Sequence, residues 1–403
     1  PGGCRQRWNQ LPILVWFIYK ATIFGMTWCL LLTRATTTSS KERIFVGAAL
    51  RGRPCDEEVL KVAESLLIKD WPTHSARAPH QGGGHGVPPH NKPEMSDGKR
   101  IVSCLPSATE IACALGLSEQ LVGITHECDY PAEIRGKPVV VSNALPIEKM
   151  SQSEIDAAVR QRLREGLSLY QVDEKLLRQL APDLILTQNL CQVCAPSGNE
   201  VSQALNLLSR RPEVLWLTPQ SLADIETNIR DLGAATGRVE AAEQIIAVGR
   251  ARVKKLQAMM GKLASHPRVF CMEWLDPVYC SGHWVPEMVK IAGGIDELSQ
   301  EGKDSVRIEW SRVLDWQPEV LVIMPCGYDL KRVIEESRRL PSYPGWSRLP
   351  AVLNRRVYAV DANSYFARPG PRVVEGTELL AHLIHPDLFS WEGNETAYRR
   401  LDC

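Results

Sequence analysis

Cys191-Gln192-Val193-Cys194 is the sharpest chemical motif of the chain. Two thiols at this spacing can act as a redox pair or supply half of a zinc site. A closed zinc site needs two further ligands. No second Cys-x-x-Cys or His-x-x-x-His exists, so the available completions are His126 and Cys128, with Cys326 behind them. A redox pair works best at a helix N-terminus, which lowers a thiol pKa. Here Ala195-Pro196-Ser197-Gly198-Asn199-Glu200 separates the pair from the next helical stretch. Packed or ligand-facing thiols, a zinc site and a redox pair all stay open for Cys191 and Cys194.

Two further groups of side chains have the types and spacing for ligand recognition. Arg368 and Arg372 bracket Pro369-Gly370-Pro371 just ahead of a helical stretch. Guanidiniums beside helix-end amides suit a phosphate or carboxylate, and an ion pair with Asp361 or Glu375 fits equally. Aromatic residues recur at Tyr130, Trp274, Tyr279, Trp284, Tyr328, Tyr365 and Phe366, all where strands give way to loops. Such side chains offer large contact area at low entropy cost, which suits a broad, partly apolar ligand. The bland alternative for any one of them is a role in a core. Phosphate-loop, dinucleotide-fold, serine-elbow and His-Glu-x-x-His patterns are all missing from the sequence, which leaves an NTPase, a dinucleotide enzyme or a serine hydrolase unsupported.

The elements that must position these residues come twice. Leu180-Ala181-Pro182-Asp183 followed by Leu184-Ile185-Leu186-Thr187 has a counterpart in Trp316-Gln317-Pro318-Glu319 followed by Val320-Leu321-Val322-Ile323-Met324. In each, a helix stops at a proline, an acid follows, and a short apolar run reads as a buried strand. Each half also opens with a basic-led strand, Lys99-Arg100-Ile101-Val102-Ser103 and Pro267-Arg268-Val269-Phe270-Cys271. The prediction is an α/β protein with two Rossmann-like lobes and a ligand cleft between them. Residues 99–218 form the first lobe, 219–265 a long bridging helical segment and 266–391 the second lobe. Within the first lobe, Ser107 and Glu110 have the spacing of a capping box at the start of a helix over 108–115. Ligands of such lobes sit at the loops after the carboxyl ends of the strands.

Residues 1–94 read as an extension. An apolar stretch over 11–33 is broken only by Lys20 and follows Arg5 and Arg7. It has the composition of a signal anchor or an atypical export signal. Residues 56–67 show helical apolar spacing, and 72–94 form a Gly/Pro/His linker that cannot build a core. Met95 directly precedes the first strand. A chain starting there is expected in the cytoplasm, whereas a functional 11–33 segment implies membrane anchoring or export. The 12 scattered cysteines read as reduced thiols more than as a disulfide framework. The balance of 47 basic against 47 acidic residues gives no reason to expect a nucleic-acid partner.

Residues 99–390 resemble the substrate-binding proteins whose two lobes are joined by a long helix, the iron-siderophore and cobalamin group, and within it a set of cobalamin-binding-protein-like sequences. The stretches that carry the resemblance are Pro106-Ser107-Ala108-Thr109-Glu110, Cys128-Asp129-Tyr130-Pro131, Gln188-Asn189-Leu190-Cys191-Gln192-Val193-Cys194, Gly282-His283-Trp284-Val285-Pro286-Glu287-Met288 and Tyr365-Phe366-Ala367-Arg368-Pro369-Gly370-Pro371-Arg372. The resemblance implies corrinoid binding in the interlobe cleft by a monomer, with delivery to the permease of an ABC-type importer and no cofactor required. The ligand-binding residues expected are Cys128, Asp129, Tyr130, Trp274, His283, Trp284, Tyr365, Phe366 and Arg368. His283 is either an axial ligand to a corrinoid cobalt or haem iron, or a hydrogen-bonded loop histidine. The alternative from another class is a thiol- or metal-dependent enzyme acting on such a ligand through Cys128, Cys191 and Cys194.

Overall fold

The computed structural model describes residues 98–188, 208 and 210–402, together with the backbone of three strands within 16–49. The chain divides into two compact units, 1–92 and 93–403. In the first unit, β1 (Trp16–Ile23), β2 (Met26–Ala35) and β3 (Arg43–Ala49) form one antiparallel sheet. The β1–β2 register runs from Trp16↔Thr33 to Ile23↔Met26. The apolar stretch expected as a membrane segment is thus mostly strand. Its aromatic and β-branched residues favour a pleated surface over a helix. No helix among the described residues is long and apolar enough to cross a membrane. The helix expected over 56–67 and the linker over 72–94 lie outside the described residues.

The second unit holds two α/β lobes. In the first lobe the chain runs β4 (Ile101–Ser103), α1 (Pro106–Ala114), β5 (Leu121–Thr125), β6 (Val139–Asn143), α2 (Gln152–Arg164), β7 (Tyr170–Val172), α3 (Glu174–Leu180), β8 (Leu184–Thr187) and β9 (Glu213–Trp216). The sheet order is β7-β6-β5-β4-β8-β9, parallel apart from β7. The chain winds outward from β4 in one direction and then in the other, which makes β4 the switch point where α/β folds open a crevice.

Two helices follow, α4 (Leu222–Thr236) and α5 (Val239–Met260). The expected long bridge is therefore a pair of helices. Gly237 breaks it in the left-handed conformation with φ 68°, which glycine adopts without a Cβ clash, and so closes α4. Gly233 lets the pair touch, since a Cβ there would lie 2.7 Å from the Ala242 methyl. α4 packs on α1 of the first lobe, while α5, about 33 Å long at 1.5 Å per residue, packs on the second.

The second lobe comprises β10 (Val269–Trp274), β11 (Tyr279–Cys280), α6 (Val285–Ile291), α7 (Trp310–Trp316), β12 (Val320–Ile323), α8 (Leu330–Ser337), α9 (Pro350–Leu353), β13 (Val357–Val360), α10 (Ala362–Tyr365), α11 (Val373–Ile384) and β14 (Tyr398–Arg400). Its sheet order is β11-β10-β12-β13-β14. Alternate residues of β10 face opposite cores. Phe270 and Met272 join a cluster internal to this lobe, whereas Val269 and Cys271 join one that runs through α4 and α5 into the first lobe. The helical side of the molecule is thus one continuous core.

The sequence duplication has a structural basis. α3 and α7 both end on a residue in the left-handed conformation, Ala181 and Gln317, directly before the proline. The acid after each proline accepts the backbone N–H of the basic residue that opens its lobe. Arg100 N donates to Asp183 Oδ2 and Arg268 N donates to Glu319 Oε2, both at 3.0 Å. The two arginine side chains repeat the pattern, with Nε donating to the Leu180 carbonyl at 2.8 Å and to the Gln317 carbonyl at 2.9 Å. Each pair staples the start of one strand to the start of its neighbour.

The packing of α11 generates one prediction. A Cβ at Gly376 would press on the Tyr365 carbonyl oxygen and lie 2.9 Å from Met288 Cε. Gly376→Ala should destabilise by about 1–3 kcal/mol, the usual cost of overpacking. A thermal melt of the variant that matches the parent would contradict this close packing.

Candidate functional site

The carboxyl ends of both sheets meet across one cleft, and side chains cross it at two places. At the first crossing, Glu110 on α1 is 2 % exposed and lies between Arg368 and Arg372 of the second lobe. Arg372 Nε donates to Glu110 Oε2 at 2.8 Å, and its Nη2 donates to Oε1. Arg368 Nη1 donates to Glu110 Oε1 at 3.2 Å and to Asp129 Oδ1, and Nη2 donates to the Glu127 carbonyl at 2.9 Å. Burial opposes the charge of Arg368, but Asp129 and Glu110 more than offset it and hold the guanidinium above its ordinary pKa. Arg372 also covers one face of the Tyr130 ring, 4.1 Å from the centroid.

The capping box expected at Ser107 and Glu110 does not form. Pro106 occupies the first helical position, Leu105 is the N-cap, and no side chain caps the end. Proline at that position suits a helix start and begins α1 earlier than the sequence pattern implied. Glu110 then faces inward, where it meets the two arginines. Their expected partners, Asp361 and Glu375, are replaced by Glu110 and Asp129.

At the second crossing, α2 of the first lobe reaches the turn after β10. Gln152 is fully buried. Its Oε1 accepts from Leu275 N at 2.8 Å and Asp276 N at 3.3 Å, and its carbonyl accepts from Trp274 Nε1 at 3.3 Å. Arg332 Nη2 donates to the carbonyls of Ile147 and Met150 at 3.1 and 3.0 Å. Tyr279 hydroxyl donates to Asp156 at 3.4 Å. Gln152 carried no signal in the sequence beyond its place behind the N-cap Ser151.

The residues expected to bind ligand fall into two groups. Tyr130 is 47 % exposed, Asp129 is exposed, and Cys128 and Trp274 are half-buried, all at the cleft. Trp284, Tyr365, Phe366 and Arg368 are buried. Trp284 Nε1 donates to the Phe366 carbonyl at 2.9 Å, so these aromatic residues join the core behind the loops and hold them in place. His283 has φ 54°, a side chain 12 % exposed, and Nε2 3.3 Å from Asp304 Oδ1. Burial lowers its pKa against the pull of Asp304. Cys191 and Cys194 lie outside the described residues. Among the described residues no group of three or more His, Cys, Asp or Glu is placed to hold a metal ion. Cys128 Sγ is 3.0 Å from Thr109 Oγ1, and burial pushes its thiol up to about 11 despite that bond. His126 Nδ1 is 3.2 Å from the Val141 carbonyl, which turns the ring into the first lobe. The first-lobe rim is acidic, with Asp129 beside Glu127, whose carboxyl is raised by burial against the pull of His126 and Arg368.

Behind the second-lobe rim, Glu273 accepts from Ser305 Oγ at 2.7 Å. Burial lifts its carboxyl to about 7 from an ordinary 4.5, against the hydrogen bonds from Ser305 and Gly282. Burial likewise lifts Asp296 to about 6. In the window between the free and folded values the native state keeps a proton that the unfolded chain has released. Stability therefore falls as pH rises from about 4.5 to 7, by on the order of 2–3 kcal/mol for Glu273. Glu273→Gln should flatten much of this slope, leaving the part due to Asp296. Melting curves from pH 5 to 8 that stay parallel for variant and parent would contradict it. A second expectation concerns Glu110→Gln, which leaves two buried guanidiniums short of their shared counter-charge. It should cost about 3 kcal/mol in a denaturant melt, and a loss below about 0.5 kcal/mol would show that the crossing carries no weight.

The chain has relatives of known name and structure. The chain is 27 % identical over 297 residues to an ABC transporter substrate-binding lipoprotein of Bacillus subtilis, YvrC, covering 72 % of this chain and 81 % of the relative. It is 24 % identical over 283 residues to the vitamin B12-binding protein of Vibrio cholerae, covering 70 % and 87 %. Among solved structures, the periplasmic vitamin B12 binding protein BtuF of Vibrio cholerae superposes with a TM-score of 0.53 at 22 % identity, covering 71 % of this chain and 96 % of that one. The periplasmic heme-binding protein RhuT of Roseiflexus sp. RS-1 gives 0.55 at 21 %, covering 72 % and 98 %. These two superpositions establish the shared fold. Residues 101–364 match the family described as periplasmic binding protein, and with most of both lobes inside that match the chain belongs to the periplasmic binding protein family.

Proposed function

We propose that the cleft binds a corrinoid or a closely related metal chelate and that the protein delivers it to an ABC-type importer. The observation that carries this reading is the alignment with vitamin B12-binding proteins over 70 % of the chain. The charge of the rim supports it. Both rim guanidiniums are already engaged and balanced, Arg372 by Glu110 and Arg368 by Glu110 and Asp129, which leaves the Glu127 carboxyl as the remaining acid of the first-lobe rim. A haem brings two propionates and would meet like charge. A corrinoid brings neutral amides, and cobinamide a net positive charge, so the acidic rim favours it.

Tyr130 is the proposed contact surface. Arg372 covers one face of its ring, and its exposure leaves area for a flat ligand. Asp129, Cys128 and Trp274 complete the ligand-facing set, with Arg368, Trp284, Tyr365 and Phe366 as its support. Catalysis through thiols draws no support from Cys128. Its burial keeps the thiol protonated, and the thiolate is the nucleophile.

Titration calorimetry with cobinamide, cobalamin and haem tests the reading. A corrinoid should bind with Kd of about 1 μM or tighter. Tyr130→Ala should weaken it by about 1–3 kcal/mol, the cost of truncating an aromatic anchor, with melting temperature unchanged because the ring is exposed. Tight haem binding with no heat from either corrinoid would overturn it.

A further inference from the structure

We propose that residues 144–169 form a strap that crosses the cleft from the first lobe to the second, and that Gln152 is its latch. The strap leaves and re-enters the first sheet at one point. Asn143 on β6 pairs with Tyr170 on β7, and Ala144 N donates to the Leu169 carbonyl at 2.9 Å. Everything between these positions is an excursion closed at its base.

Its tip is attached to the other lobe. The attachments are those of the second crossing: Gln152 to Leu275, Asp276 and Trp274, Arg332 to the carbonyls of Ile147 and Met150, and Asp156 to Tyr279. All of the second-lobe partners lie at or after the carboxyl ends of β10 and β12, so the strap lies over the ligand side of the sheets. Ser151 and Glu154 form a full capping box at the start of α2, which fixes Gln152 as the first helical residue and aims it at the 275–276 turn.

The strap has little else to hold it. Within α2 only Gln152 and Ile155 are buried; Asp156, Ala158, Val159, Arg162 and Leu163 are partly covered, and the other residues are exposed. A segment with few buried apolar contacts opens at low free energy. The Gln152 amide is also within reach of the Tyr328 hydroxyl, a second-lobe side chain that follows β12. Gln152 then acts on ligand exchange through the strap, as a positioning residue that need not touch the ligand.

This inference rests on the cleft being the binding site, and its test separates the two. Amide hydrogen exchange on the ligand-free full chain comes first. Gln152→Ala should speed exchange at Leu275, Asp276 and residues 147–164 by about tenfold, with the sheets of both lobes unchanged. Arg332→Gln, which removes the two carbonyl bonds at the tip, should do the same to a smaller degree. Unchanged exchange in both variants, or a uniform rise over the whole lobe, would overturn the strap. Stopped-flow mixing with cobinamide follows. A latch predicts that Gln152→Ala raises association and dissociation rates together by about tenfold and leaves Kd within about threefold. A rise in dissociation alone would make Gln152 a ligand contact and overturn the latch. If cobinamide fails to bind the parent protein, the corrinoid reading falls, and the exchange measurement still decides the strap.

Discussion

A single buried carboxylate organises the cleft. Glu110 gives up hydration that is worth several kcal/mol to an ion, and only close opposite charge with directed hydrogen bonds offsets that. Arg368 and Arg372 supply both. The consequences spread along the two guanidiniums. Arg368 carries its remaining donors to Asp129 and the Glu127 carbonyl, which fixes the 126–131 loop against the second lobe. Arg372 lies over Tyr130 and sets the ring at the rim. The 126–131 loop at the cleft rim is thus shaped by a carboxylate on a different element.

The two sides of the molecule differ in how the lobes are joined. On the helical side, α4 and α5 continue the core from one sheet to the other, with Ile225, Ile246, Leu256 and Val269 in one cluster. Close-packed apolar contact of this kind resists hinge bending. On the open side the lobes meet through polar side chains at Glu110 and Gln152. These contacts are directional and, at Asp129, open to solvent. The polar contacts at the cleft are therefore the easier of the two joins to open, because breaking them exposes little apolar surface.

Much of the fold could be read from the chain because its signals are local. The proline-acid junctions at 182–183 and 318–319 and the final helix Val373–Ile384 depend on short-range chemistry, and each stands where the pattern put it. The aromatic loops were also found, but not which side each ring takes. Trp284 and Tyr365 look the same in sequence as Tyr130, and only packing across the lobe puts the first two inside and the third at the surface. Glu110 shows the limit more sharply. Its spacing from Ser107 is that of a capping box, yet Pro106 moves the helix start and turns the carboxylate toward arginines more than two hundred and fifty positions away. The one available clue was an acid set among the apolar positions Ala108, Ile111 and Ala112. Gln152 offered none, since a glutamine behind an N-cap is ordinary and its burial depends wholly on the other lobe.

The same reasoning explains why the aromatic residues behind the rim matter even though they are buried. A loop that recognises a ligand must hold its shape before the ligand arrives, or ordering it consumes the affinity. The 361–372 loop has no regular ladder of its own beyond α10. Trp284, the N-cap of α6, donates to its Phe366 carbonyl, and Asp361 caps α10 by accepting from Ser364. Arg368 and Arg372 leave this braced loop for Glu110. The order of dependence therefore runs from the second-lobe core to the loop, from the loop to the two guanidiniums, and from them to Asp129 and Tyr130. Substitutions at Trp284 would act on the rim through this chain of supports, with the exposed Tyr130 ring at its far end.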